Sequence, residues 1–481
     1  MAGIRFLLDG QIVCADDLPR TMTVLEYLRE VAHRTGTKEG CAEGDCGACT
    51  VVLGERDPDG TRVRYRAVNS CIRFLPTIDG QELVTVESLL GPGETLHPVQ
   101  QSMVDHHASQ CGFCTPGFVM SLFALYLREP NPTREQVIEA LSGNLCRCTG
   151  YRPIIEAGVR MGSYPAPPPR DSANALTSLQ RDRPLRLPGF YAPLTVDELA
   201  SELEKVPGSL VLAGGTDIGL WVTKQLRELP PIVYIGAVSG LKQIQRDAAG
   251  MEIGAAVSLT DAWEALVATY PTLAEMAQRF GSPPVRNSGT LCGNLANGSP
   301  IGDSLPVLIA LGAELVLRRG ARVRSLSLES FYLAYQRTAL KPGEFVVAVK
   351  VPAPAAGCWL AAYKLAKRFD QDISALALAC AVTVVDGRVA HVRLAFGGLA
   401  GIAMRAAATE RALLGAPWNE AGVNFAATRL AEDFKPLTDM RASSAYRLQA
   451  AGNLLRRFYF EHSGSGSHGP TRTADAVSAS A

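Results

Sequence analysis

The sequence has no excess of either charge, since 47 Lys and Arg residues face 47 Asp and Glu residues. A balanced chain offers no electrostatic footprint for nucleic acid or for an anionic membrane surface. It has no apolar run of the roughly 20 residues that cross a bilayer. The longest runs, such as 118–127, read as core helices. The N-terminus, Met1-Ala2-Gly3-Ile4-Arg5-Phe6-Leu7-Leu8-Asp9, lacks the charged, apolar and small segments of a secretion signal and carries no Arg-Arg pair. These absences lead to the expectation of a soluble, cytoplasmic protein. No Gly-Lys dipeptide occurs, so there is no P-loop lysine. The formal Gly-x-Gly-x-x-Gly match at 464–469 lies in a Ser/Gly/His tail with no strand pattern before it and no helix pattern after it, and so is no dinucleotide fingerprint. The length, 481 residues, leaves room for two to four domains.

Cysteine is ordinary in number, twelve in all, but not in placement. Gly40-Cys41-Ala42-Glu43-Gly44-Asp45-Cys46-Gly47-Ala48-Cys49 sets three thiols in nine residues, and Cys71 follows at a distance. Cys-x4-Cys-x2-Cys with a distant fourth Cys is the plant-type ligand pattern of a [2Fe–2S] cluster. A loop that wraps a rhombic Fe2S2 core needs positive φ angles and close backbone approach, which Gly40, Gly44 and Gly47 allow. A zinc knuckle or a set of buried thiols is the competing reading, although zinc sites usually pair shorter Cys-x2-4-Cys elements. Around this loop, residues 4–14 alternate about Asp9-Gly10 as a hairpin, and Thr23 caps a short helix. Residues 50–53 and 63–68 flank an Asp59-Gly60 turn as strands. The whole resembles a plant-type ferredoxin domain. Cys14, in the hairpin, reads as a packed thiol.

From about residue 86 the period becomes helical. Thr115-Pro116 opens a helix over 117–127, and Thr133 caps a second from 134 toward 145. Cys111-Gly112-Phe113-Cys114 precedes the first helix and Cys146-Arg147-Cys148 follows the second, so an antiparallel pair brings all four thiols to one end. The Cys-x2-Cys alone would also suit a redox dithiol; the matching Cys-x-Cys favours a second four-thiolate cluster. His106-His107 point to different faces and read as surface or core. Residues 164–188, rich in Pro, read as an extended linker.

Two further stretches are rich in Gly, Asn, Ser and Thr. One is the apolar strand that runs through Ser209-Leu210-Val211-Leu212-Ala213 into Gly214-Gly215, where successive N–H groups can face an anion. The other is Ser288-Gly289-Thr290-Leu291-Cys292-Gly293-Asn294 and on to Asp303. Cys292 would also serve as a small buried hydrophobe. Later, Tyr363-Lys364 precedes the apolar run 375–385 and Gly387; Lys364 alone would read as a surface charge. Cys358 and Cys380 read as packing.

Gln110-Cys111-Gly112-Phe113-Cys114-Thr115-Pro116-Gly117 and Gly143-Asn144-Leu145-Cys146-Arg147-Cys148-Thr149-Gly150-Tyr151-Arg152-Pro153 are similar to the second iron–sulfur domain of the xanthine dehydrogenase/molybdenum hydroxylase family, and the later stretches to its flavin module. The resemblance covers residues 1–460. It implies an α+β multidomain chain: a β-grasp plant-type ferredoxin domain (1–85), a helical [2Fe–2S] domain (86–163), a Pro-rich linker (164–187), a two-lobed α+β FAD-binding domain (188–354), an α+β C-terminal flavoprotein domain (355–460) and a disordered tail (461–481). It implies two [2Fe–2S] clusters, one on Cys41, Cys46, Cys49 and Cys71 and one on Cys111, Cys114, Cys146 and Cys148. For FAD it implies a pyrophosphate loop of Val211, Leu212, Ala213, Gly214, Gly215, Thr216, Asp217 and Ile218, with Ile218 beside the flavin ring. Phe280, Thr290, Leu291, Cys292, Gly293 and Asn294 join it, with Asp303 at the adenosine end and Lys364 at the flavin. Gln371 stands where mammalian relatives carry an acid, which removes a charge near the flavin.

Gln110 would contact a molybdopterin and Cys148 would lie close to it; alone, Gln110 reads as a solvent-facing residue. No residue of this chain takes a catalytic role in the resemblance. The implied partner is a molybdopterin-binding large subunit, in an α2β2 heterotetramer. The implied activity is electron transfer in xanthine dehydrogenase, hypoxanthine to xanthine to urate, with NAD+ as acceptor. A hydroxylase of another N-heterocycle or of an aldehyde, and a zinc-binding scaffold without enzymatic activity, are the alternatives.

Overall fold

The computed structural model describes residues 3–57, 60, 62–170 and 172–463. Asp59 of the expected turn, and the 464–469 match, lie outside the described residues. The chain folds into two compact units. The first runs to Lys242 and adds Ala256–Thr260 and Gly281–Thr290; the second takes Gln243–Ala255, Asp261–Phe280 and the chain from Leu291 onward.

In the first unit, Ile4–Leu8 and Gln11–Ala15 form the expected hairpin, with Asp9 and Gly10 at φ 50° and 75°. Two positive φ values in succession match the twist of the flanking strands. The sheet order is Gln11–Ala15, Ile4–Leu8, Glu82–Val84, Thr50–Arg56, Val63–Asn69, antiparallel except where Ile4–Leu8 runs parallel to Glu82–Val84. Thr23 and Glu26 close a reciprocal capping box on the short helix Val24–Glu26, which continues as a wider turn over Tyr27–Val31. The hairpin corrects one expectation. Cys14 is exposed, because alternation along the edge strand Gln11–Ala15 turns it away from the core.

The helical part carries Pro98–Asp105, Thr115–Tyr126, Arg134–Leu141 and Arg152–Arg160. Thr115–Tyr126 is buried almost all round, with Phe118, Leu122 and Phe123 at 0–1% exposure. Arg134–Leu141 stops four residues before the sequence suggests, which frees Gly143 and Asn144 to turn into the cluster region.

The expectation of an extended linker over 164–187 is corrected from Ala173 onward. Ala173–Leu179 is a helix whose Leu176 and Leu179 pack on Leu7, and Leu185–Leu187 joins a sheet. Burial of two leucines outweighs the polyproline preference of the preceding segment. That sheet orders Leu185–Leu187, Phe190–Ala192, Ile232–Tyr234 and Leu210–Leu212, the last three mutually parallel.

The second unit holds a five-stranded antiparallel sheet, in order Ile244–Asp247, Gly250–Gly254, Phe345–Pro352, Glu314–Arg319, Arg322–Ser327. A four-stranded antiparallel sheet follows, Cys358–Leu365, Leu376–Val385, Arg388–Gly397 and Met404–Arg405. The helix Ser444–His462 lays Leu455 and Phe458 into the core of this second sheet. That helix also corrects the expected tail boundary, since residues 461 and 462 are helical. Among the described residues no helix is long and apolar enough to cross a membrane.

Candidate functional site

The eight grouped thiols converge as two sets, and within each set they meet in pairs. Cys49 Sγ lies 3.2 Å from Cys71 Sγ, and Cys111 Sγ lies 3.6 Å from Cys148 Sγ. Cys41 pairs with Cys46, and Cys114 with Cys146. Two pairs per site suit a core of two irons, each of which takes two thiolates. Among the described residues no group of three or more His, Cys, Asp or Glu side chains is placed to hold a single metal ion.

Backbone and protonation fit the same picture. The amides of Glu43, Asp45 and Cys46 donate to Cys41 Sγ at 3.5, 3.4 and 3.3 Å. The hydrogen bond from the Cys46 thiol, helped by those amides, brings Cys41 down to about 5. Cys46 moves the other way, first through that same bond and then through burial. Cys49 is held low by its bond from Cys71, and Cys71 is pushed up in return. A thiolate is the form in which cysteine binds a metal. Asn69, 1% exposed, aims Nδ2 at Cys49 Sγ at 4.0 Å while its Oδ1 has no hydrogen-bond partner among the described residues. An amide that leaves its oxygen orphaned to face a sulfur is suited to a site of negative charge.

The two cluster loops are in backbone contact. Leu145 N donates to Cys46 O at 2.9 Å. Asn144 Nδ2 donates to Gly47 O at 3.1 Å and Ser121 Oγ to Asn144 Oδ1 at 2.6 Å. Gly117 is required here, since a Cβ on it would lie 2.1 Å from Gly47 O. Gln110, Cys111, Phe113 and Cys148 are exposed, and Cys114 and Cys146 are half-buried. His106 bonds the Ser102 carbonyl and His107 is exposed.

On its other side the first thiol loop meets the expected pyrophosphate loop. A Cβ on Gly219 would lie 2.4 Å from Ile72 O, next to Cys71, and Thr223 Oγ1 donates to Ala42 O at 2.8 Å. The two Gly-rich stretches also touch, because a Cβ on Gly214 would lie 2.0 Å from Ser288 O. Gly214 thus serves this packing, while Gly215, at φ 75°, makes the turn into the helix Ile218–Thr223. Val211, Leu212 and Ala213 lead into the turn and Thr216 and Asp217 complete it; Leu212 is in the core. Thr290 is in this unit as well.

The remaining expected flavin residues belong to the second unit. Phe280 lies 5.5 Å from the Trp263 ring, whose buried Nε1 has no hydrogen-bond partner among the described residues. Such an orphaned donor suits a polar ligand. Leu291 and Cys292 point into the core, and burial pushes the Cys292 thiol up to about 12. Gly293 and Asn294 follow in the helix Leu291–Asn297, and Asn294 Oδ1 accepts from Ser304 Oγ at 2.5 Å.

Lys364 and Asp303, expected at the flavin and at the adenosine end, lie against each other. They form a single buried ion pair, Nζ to Oδ2 2.8 Å, with Ser374 on the second carboxylate oxygen at 2.5 Å. Lys364 also donates to Arg279 O at 3.0 Å, so it is no surface charge. Gln371 is half-buried at φ 49°, and its carbonyl accepts from Arg368. The sequence reading missed Asn69, Ser121, Asn144, Ile72 and Arg279. Only Asn144 carried a signal, its place two residues before Cys146.

Two paired-thiol centres beside a Gly-rich flavin-type cradle define an iron–sulfur flavoprotein built for electron transfer. Four family models match in succession: a 2Fe-2S iron-sulfur cluster binding domain over 6–74, a [2Fe-2S] binding domain over 85–158, an FAD binding domain in molybdopterin dehydrogenase over 183–354, and a CO dehydrogenase flavoprotein C-terminal domain over 361–462. Xanthine dehydrogenase of Emericella nidulans is 32% identical across 95% of this chain and 38% of its own length. Xanthine dehydrogenase/oxidase of Gallus gallus is 29% identical across 86% and 36%. The chain thus spans well under half of the curated relatives it matches. Among solved structures, a chain of carbon monoxide dehydrogenase from Hydrogenophaga pseudoflava is 31% identical with a TM-score of 0.53, covering 56% of this chain and 94% of that one. A chain of quinoline 2-oxidoreductase from Pseudomonas putida 86 is 26% identical with a TM-score of 0.52, covering 58% and 97%. The chain belongs to the molybdenum hydroxylase family, as its iron–sulfur and FAD electron-transfer portion.

Proposed function

We propose that the chain carries electrons in a xanthine dehydrogenase, between a molybdopterin-bearing partner and NAD+. One observation carries this reading. The similarity to xanthine dehydrogenases runs through both cluster domains and the flavin module in a single chain, 95% of it, whereas the carbon monoxide dehydrogenase chain matches only 56%. When bound, the two [2Fe–2S] centres supply one-electron steps and FAD joins them to a two-electron acceptor.

The residues supply the order of the path. The exposed rim of Gln110, Cys111 and Cys148 is the open face of the second thiol set and the docking side for a molybdopterin-bearing large subunit, in an α2β2 assembly. Behind that rim the Leu145–Cys46 bond joins the second set to the first. The contact of Ile72 with Gly219 joins the first set to the loop 211–218. Val211, Leu212, Ala213, Gly214, Gly215, Thr216, Asp217 and Ile218, with Thr290, form the FAD cradle of the first unit. Phe280, Leu291, Cys292, Gly293 and Asn294, and the Lys364–Asp303 pair, are the FAD residues of the second. The working compartment is the cytoplasm, where reduced thiols load with iron.

A related hydroxylase with another substrate is the second reading, favoured by the likeness to the quinoline oxidoreductase. The test is turnover by the chain with and without a molybdopterin-bearing partner. The chain alone should oxidise NADH with an artificial dye and leave xanthine untouched; with the partner it should couple xanthine to NAD+ reduction. Coupled turnover of quinoline or an aldehyde but not of hypoxanthine or xanthine favours the second reading. Xanthine oxidation by the chain alone, free of molybdenum, refutes the first.

A further inference from the structure

Beside the backbone bond from Leu145 to Cys46, one side chain ties the two thiol loops together. Asn144 is 3% exposed, and its amide is fully used. Nδ2 donates to Gly47 O at 3.1 Å and to Thr50 Oγ1 at 3.3 Å, and Oδ1 accepts from Ser121 Oγ at 2.6 Å. Ser121 and Thr50 are themselves 2% and 1% exposed. The amide thus spans from the loop between Cys46 and Cys49 to the helix Thr115–Tyr126, which Cys114 caps. Its own backbone leads through Leu145, whose N–H holds Cys46 O, to Cys146. Ligand positions 46, 114 and 146, from both sets, hang from this one residue.

The surroundings permit little else at the position. Gly47 O also accepts from Thr50 N at 3.1 Å and Thr50 Oγ1 at 2.7 Å, so three donors converge on one carbonyl. A Cβ on Gly47 would lie 2.2 Å from Gly143 O, and one on Gly143 would lie 2.8 Å from Pro284 Cδ. The backbones therefore meet without side chains between them, and only a side chain with a donor at one end and an acceptor at the other joins both walls. An aspartate would turn an anionic oxygen toward the Gly47 carbonyl. An alanine would leave the Ser121 hydroxyl buried and unpaired.

We propose that Asn144 is a positioning residue for electron transfer, a latch that fixes the separation of the two clusters and so the rate at which an electron crosses between them. The inference rests on the reading of the thiol sets as [2Fe–2S] centres. A merely structural role would show as lost stability or lost iron. A latch shows in the interaction between clusters that are each intact.

The test uses the full chain loaded with both clusters, as wild type, Asn144→Ala, Ser121→Ala and Thr50→Val. Iron content and the two reduced-state EPR signals report each cluster separately. The spin–spin splitting in the fully reduced protein, and the rate of redistribution after a light-triggered one-electron injection, report their coupling. Asn144→Ala should keep both signals, lose the splitting and slow the redistribution. Ser121→Ala and Thr50→Val, which each remove one partner, should fall between it and the wild type. Splitting and rate unchanged in Asn144→Ala, with both signals present, overturn the latch. Should Asn144→Ala fail to hold iron, the other two variants decide: wild-type coupling in both overturns it equally. Zinc in place of iron in the wild type removes the cluster reading itself, a separate failure from unaltered coupling between two intact iron signals.

Discussion

His97 caps the helix Pro98–Asp105 by accepting the Val99 amide at Nδ1, 3.2 Å away, and its ring stands edge-on to Phe123 and Tyr126 at 5.1 and 5.0 Å. The residue is 7% exposed. Burial, with a smaller contribution from the Arg170 guanidinium, lowers its pKa from 6.5 to about 4. A base whose folded value is depressed takes up its proton more readily when unfolded. Its contribution to stability is therefore complete above the unfolded value, near 6.5, and drains away as pH falls toward about 4. Linkage between those two values gives a loss of about 2 kcal/mol between pH 7 and pH 5. Asn, a good capping residue, retains an acceptor for the Val99 amide without titrating. Urea unfolding of the wild type and His97→Asn at pH 7 and pH 5 isolates the effect, because every other acid-sensitive group, cluster thiols included, is common to both proteins. The wild type should lose about 2 kcal/mol more than the variant over that interval. Equal losses in the two proteins would falsify the assignment of a neutral buried imidazole.

Three further outcomes are expected. Asn69→Leu removes the N–H that faces Cys49 Sγ. A hydrogen bond to sulfur favours the more negative, reduced cluster, so its loss should lower the first cluster's midpoint by about 20–60 mV and leave the second unmoved. A rise, or an equal shift in both, in an EPR-monitored redox titration would contradict this. Lys364→Met leaves the Asp303 carboxylate buried and unpaired and should cost about 3–5 kcal/mol in denaturant unfolding. Adding Asp303→Asn should recover most of that, and a single-variant cost under about 1 kcal/mol would show the pair to be solvated. Cys46→Ser and Cys146→Ser should each abolish a different reduced-state EPR signal; loss of the same signal from both would break the grouping of thiols.

What was legible in the sequence is what chemistry fixes locally. Thiol spacing is local, so the grouping of Cys41, Cys46, Cys49 and Cys71 is legible without any tertiary contact. The hairpin at Asp9-Gly10 and the cap at Thr23 are equally local. What escaped depends on partners far away in the chain. Asn144 gains its meaning from Gly47, 97 residues earlier, and from Ser121. Lys364 matches a flavin-contacting lysine in the resemblance, but its ion pair with Asp303, 61 residues away, has no local signal. In the segment 164–187 the prolines favour an extended chain, yet Leu176 and Leu179 pack on Leu7 from a helix. Residue type alone suggests a packed thiol at Cys14, and edge-strand alternation exposes it.

The path of the chain between the two units bears on how the protein is made. The first unit is not complete at Lys242, because Gly281–Thr290 belongs to it. That late segment donates Asn287 Nδ2 to Ala67 O at 2.9 Å and sets Ser288 against Gly214. On a ribosome adding about 5–20 residues per second, the 48 residues from 242 to 290 represent a delay of roughly 2–10 s. During that interval the strand Val63–Asn69 and the Gly214 turn are without their last covering segment, and a chaperone or early iron delivery would act on an unfinished surface. No single nick between residues 242 and 290 divides the chain into its two units, since it passes from one to the other five times.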